Sequence, residues 1–89
     1  MTFKRNNCGR YISSIDDNFY IRKNRYGSYE VFYGMEYIGS SLNLKGIKER
    51  FKDTNSDGLQ MFLGQFLMDK TRRTDLIGRF GYDFTKFDI

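Results

Sequence analysis

Eighty-nine residues, a net charge of +4, no histidine and the single thiol of Cys8 set narrow bounds on this chain. The length supports one hydrophobic core, so residues 1–89 read as a single domain. Ser-His-Asp and Cys-His chemistry, an internal disulfide and a zinc site of the Cys/His type are all excluded within one chain by the same counts.

Apolar residues reach only 39%, but nine Phe and seven Tyr raise the aromatic share to 18%. Large rings remove roughly 150–250 Å² each from water, which lets a small domain close a core. No apolar run approaches the roughly 18–20 residues of a membrane span, and no signal-peptide pattern follows Met1. A cytoplasmic location, with no membrane partner, is the expectation.

Residues 1–9 are polar and basic, broken by Asn6-Asn7 and Gly9, and read as a flexible arm. From 10 to 41 the chain reads as a β-meander. Arg10 to Ile15 forms a short first strand, and Asp16-Asp17-Asn18 a turn in which Asx side chains bond backbone amides. Phe19 to Asn24 follows, with Phe19 and Ile21 on one face and Tyr20 and Arg22 on the other. Residues 24–27 turn the chain into the strand Tyr29–Tyr33, whose alternation places Val31 inward and Phe32 outward. Gly34-Met35 turns it again into Glu36–Ser41. Short connections make all of these strands antiparallel.

Asn43 caps a helix with Leu44, Ile47 and Phe51 on one face. Ser56-Asp57-Gly58 is a turn signal, and Leu59 to Asp69 then shows apolar residues at 59, 62, 63, 66 and 67, the stripe of an amphipathic helix. Thr74 caps a short third helix over 75–79, so the helical part extends over 43–80. Tyr82, Phe84, Phe87 and Ile89 make residues 82–89 an apolar tail that adds an edge strand, packs across the helices or meets another chain. The fold class is α+β: a small antiparallel three- or four-stranded meander packed against two or three C-terminal helices.

The charge excess is local. Residues 1–27 carry Lys4, Arg5, Arg10, Arg22, Lys23 and Arg25 against only Asp16 and Asp17, while basic and acidic residues nearly balance further on. Basic side chains among tyrosines suit phosphate contact and base stacking; the structural account is a solvated sheet face that aids solubility. The candidate nucleic-acid contacts are Arg10, Tyr20, Arg22, Lys23 and Arg25, with Arg72 and Arg73 as a flanking grip. The last two also complement a helix C-terminus. Met61 and Met68 lie off the helical stripe and, with Phe84, Phe87 and Ile89, are candidates for a protein interface.

The basic strand, glycine turn and alternating strand of Arg22-Lys23-Asn24-Arg25-Tyr26-Gly27-Ser28-Tyr29, followed by Gly34 and Tyr37-Ile38-Gly39, resemble small DNA-binding domains of the AP2 class and the arm-binding domains of tyrosine recombinases. The resemblance covers residues 19–53 and implies a sheet laid in the major groove. Gly27-Ser28-Tyr29 and Tyr37-Ile38-Gly39 are also similar to the paired words of GIY-YIG nucleases, where Tyr29 and Tyr37 would match the two tyrosines. Seven residues between them is shorter than that family's spacing, Gly46 or Ile47 stands where its helix arginine falls, and its metal-binding glutamate would have to follow Ile89.

No catalytic set, metal site or cofactor is therefore expected, and the chain reads as non-enzymatic. The leading reading is a small DNA-binding accessory protein of a virus or mobile element, gripping DNA with the basic face of its sheet. Its competitor is an inhibitor or adaptor of a host protein, or a homodimer formed through the tail. A degenerate GIY-YIG-type nuclease stands third.

Overall fold

Two kinds of sequence punctuation, glycine turns and asparagine caps, cut this chain into its elements. A computed structural model describes residues 1–77 and 82–84. β1 (Phe3–Arg5), β2 (Tyr11–Ser13), β3 (Phe19–Lys23), β4 (Tyr29–Tyr33) and β5 (Glu36–Ser41) form an antiparallel meander, each strand beside its sequence neighbour. Helices α1 (Leu44–Phe51) and α2 (Ser56–Ile77) follow, and β6 (Tyr82–Asp83) joins the sheet parallel to β5. The α+β class stands. The strand count is corrected to five in the meander, because Phe3–Arg5, within the segment read as an arm, pairs with β2.

The reason lies in a repeat. Phe3-Lys4-Arg5-Asn6 and Gly9-Arg10-Tyr11 correspond to Ile21-Arg22-Lys23-Asn24 and Gly27-Ser28-Tyr29. Both copies fold into the same hairpin turn. Asn6 Oδ1 accepts from the amides of Cys8 (3.0 Å) and Arg10 (2.9 Å), and Asn24 Oδ1 accepts from those of Tyr26 (2.9 Å) and Ser28 (3.0 Å). Gly9 and Gly27 take φ of 81° and 89°, the left-handed position that a three-residue hairpin loop requires of its last residue.

The same Asn-x-x-Gly word starts both helices. Asn43 Oδ1 accepts from the Gly46 amide at 2.6 Å and Asn55 Oδ1 from the Gly58 amide at 2.8 Å, each satisfying a donor left free in the first helical turn. The Asn55 cap starts α2 at Ser56, a turn before the Leu59 start expected from its apolar stripe. α2 then runs unbroken to Ile77, through Thr74, where a separate third helix was expected to begin.

Alternation along the strands sorts the sheet into two faces. Phe19, Ile21, Val31 and Ile38 are fully buried beneath Ile47 and Phe51 of α1, Leu59 and Phe66 of α2, and Phe84. Tyr29 and Tyr33 pack at the edge of this core, with Val31 between them as the alternation predicts. Leu67, counted in the helical stripe, is half-exposed. Both helices therefore cover one face of the sheet and leave the other uncovered.

Candidate nucleic-acid interface

The uncovered face carries one residue from each strand of the meander in a continuous cross-strand row. Lys4 pairs with Ile12, Ile12 with Tyr20, Tyr20 with Phe32, and Phe32 with Tyr37. A register shift between Val31 and Phe32 brings Tyr37 opposite Phe32 while letting Ile38 enter the core. The rings touch: Tyr20 and Phe32 stack with centroids 5.5 Å apart, and Phe32 meets Tyr37 edge-on at 5.8 Å. Tyr20 also donates through its hydroxyl to the Gly34 carbonyl at 3.2 Å, fixing that ring to the β4–β5 turn.

Two arginines lie over this row. The Arg10 guanidinium sits 4.7 Å from the Tyr20 centroid and that of Arg22 4.7 Å from the Phe32 centroid. Arg22 Nε is also 3.3 Å from Glu30 Oε1, an ion pair in which the Arg22 side chain is half-exposed and which is therefore worth little. Arg10 has no carboxylate partner among the described residues. A planar, always-charged guanidinium laid on a ring can stack and donate at once.

The meander also separates charge along the strands. The β1–β2 and β3–β4 turns lie at one end, with Arg5, Arg10, Lys23 and Arg25 in or beside them. The β2–β3 and β4–β5 turns lie at the other, with Asp16, Asp17 and Glu36; the Gly34 amide donates to the Asn18 carbonyl at 2.7 Å and ties these two turns together. One end of the sheet is thus basic and the other acidic.

The expected contacts divide accordingly. Arg10, Tyr20 and Arg22 come together on the uncovered face. Lys23 falls on the helix-covered side of the strand, its Nζ 5.8 Å from the Tyr29 ring centroid. Arg25 sits in the hairpin loop, stacked on exposed Tyr26 at 5.0 Å and donating to its hydroxyl at 2.9 Å. A shallow, open depression lined by Arg22, Lys23, Asn24, Arg25, Tyr26 and Glu30 links this loop to the face. The side chains of Arg72 and Arg73, like Phe87 and Ile89, lie outside the described residues.

Lys4, Ile12, Phe32 and Tyr37 also lie in this row, outside the contacts that the sequence points to. The repeated basic-basic-Asn-x-x-Gly word would have found Lys4, since it matches Arg22. Among the interface candidates, Met61 and Met68 are exposed on α2, whereas Phe84 is fully buried against Phe51 and Phe62 and acts as core. Tyr29 and Tyr37 lie on opposite faces of the sheet, so their rings do not converge on a common point. Among the described residues no helix is long and apolar enough to cross a membrane. The chain matches no protein-family model, no curated protein and no solved structure.

Proposed function

We propose that this protein binds nucleic acid, DNA in the first instance, through the uncovered face of its meander, and performs no chemistry on it. The observation that carries the reading is the Tyr20–Phe32–Tyr37 row with Arg10 and Arg22 laid across it. An exposed cation–π contact is worth about 0.5–1 kcal/mol, while a base stacked on an aromatic side chain contributes about 1–3 kcal/mol. Exchanging guanidinium for base on either ring is therefore favourable. The freed arginine then meets a phosphate, with Lys4 and the basic turns extending the electrostatic track.

The test is a binding titration of labelled DNA at several salt concentrations. Affinity should fall linearly with salt on logarithmic axes, and replacing Arg10 and Arg22 together by Ala should reduce that slope by about two, one per lost phosphate contact. Absence of any binding to DNA at low salt would sink the proposal.

A second reading rests on α2, where Met61 and Met68 are 75% and 53% exposed. They stand seven residues apart and share one helix face with Gly64, whose surroundings are open. Flexible methionines beside a glycine suit a protein partner. Under this reading Met61→Glu with Met68→Glu abolishes a stoichiometric complex that survives nuclease treatment. Under the nucleic-acid reading the same variant binds DNA unchanged.

A further inference from the structure

The width of the uncovered face bears on what kind of nucleic acid it takes. Five strands spaced about 4.8 Å apart span roughly 19 Å, whereas the major groove of B-form DNA is about 12 Å wide. A two-stranded ribbon enters that groove; this sheet is too broad to enter it face-on. Its distinctive groups are also wrong for a duplex, because stacked base pairs present edges and phosphates, not ring faces. Ile12, Tyr20, Phe32 and Tyr37 form an apolar band perpendicular to the strands, and Arg10 and Arg22 reach over it from strand positions nearer the basic end.

Resting on the nucleic-acid reading above, we infer that the ligand is a single strand, laid across β2 to β5. Roughly two or three unpaired bases stack on the aromatic band, and the backbone follows the arginines on its basic side. The acidic turns of Asp16, Asp17 and Glu36 repel phosphates from the opposite side and so fix the side on which the backbone runs.

The experiment titrates the protein against fluorescent strands of about 12 nucleotides, as single-stranded DNA, single-stranded RNA and the matching DNA duplex, at low and moderate salt. Either single strand should bind at least about tenfold tighter than the duplex. Phe32→Leu and Tyr37→Leu keep apolar bulk on a face outside the core but remove the rings. Each should weaken single-strand binding about tenfold while thermal melting confirms an intact fold. Equal or tighter binding of the duplex overturns the single-strand inference and leaves the nucleic-acid reading in place. Single-strand affinity unchanged in both variants overturns it as well. No binding to any of the three ligands removes both.

Discussion

Tyr20 and Phe32 face one another across β3 and β4 with ring centroids 5.5 Å apart and planes 15° from parallel, on the side of the sheet opposite α1 and α2. Two aromatic rings in register on a wet face contribute to strand pairing without belonging to the core. A double-mutant cycle with Tyr20→Ala and Phe32→Ala should give a coupling of about 0.5–1 kcal/mol in urea unfolding. Tyr20→Phe isolates the hydroxyl bond to Gly34, a further contribution of about 1 kcal/mol. A loss of several kcal/mol from Phe32→Ala would mean that this face is buried in solution.

Three helical glycines should answer one substitution in different ways. A Cβ on Gly64 meets nothing within 4 Å, so Gly64→Ala should stabilise the protein by about 1 kcal/mol through helix propensity alone. On Gly46 the same Cβ lies 3.0 Å from Asn43 Oδ1 and 3.3 Å from the Phe84 carbonyl. The first atom is held by the capping bond and the second is backbone, so neither yields freely. Gly46→Ala should destabilise by about 1–2 kcal/mol, while Gly58→Ala, crowded only by the Asn55 and Thr54 side chains at 3.3 and 3.4 Å, should fall between them. Thermal melting of the three variants orders them, and stabilisation by Gly46→Ala would show that the α1 cap is not packed as described.

The faces of β3, β4 and α1 were legible in the sequence because alternation and helical spacing are local. Val31 inward, Phe32 outward and Ile47 buried all follow from counting residues. The Asn-x-x-Gly word was not legible in the same way, since it closes hairpins at Asn6 and Asn24 and caps helices at Asn43 and Asn55. What decides between these uses is the periodicity after the glycine: Tyr11 and Tyr29 enter strands of period two, whereas Ile47–Phe51 and Leu59–Phe62–Phe66 are helical. β1 is only three residues long, too short to show alternation, and was recognisable only as a copy of β3. The row from Lys4 to Tyr37 depends on four registers and a bulge, which are non-local properties that no single segment encodes.

Phe51 is the joint between sheet and helices. Its ring meets Phe19 at 5.2 Å, Phe62 at 5.1 Å and Phe84 at 5.6 Å, all tilted toward edge-to-face, and it is fully buried. Phe51→Ala should cost about 3–5 kcal/mol by cavity formation, a large share of the stability of a domain this small. Loss of cooperative unfolding or of soluble expression is the expected observation. Phe51→Leu should be milder and retain a measurable transition, and a negligible effect of both would contradict the packing.

Alkaline stability should depend on Tyr33. Its hydroxyl donates to Asp16 Oδ2 at 3.0 Å, linking β4 to the acidic β2–β3 turn. That hydrogen bond, then the repulsion between the Asp16 carboxylate and a phenolate, and finally partial burial raise the Tyr33 pKa above the ordinary tyrosine value. The folded state then holds the proton to higher pH than the unfolded chain does. The contribution is complete below the unfolded value of about 10 and is lost as pH rises through the higher folded value. Lys52, raised by its hydrogen bond to Glu49 and then by the Glu49 and Asp53 charges, acts in the same direction, so wild-type behaviour alone does not separate the two. Tyr33→Phe does: the stability difference between wild type and variant should be constant from about pH 7 to pH 9 and shrink above pH 10. Asp16→Asn should bring the Tyr33 titration, followed by phenolate absorbance, back toward the ordinary value. A difference between wild type and Tyr33→Phe that stays flat or widens above pH 10 would show that the Tyr33–Asp16 bond is not held in solution.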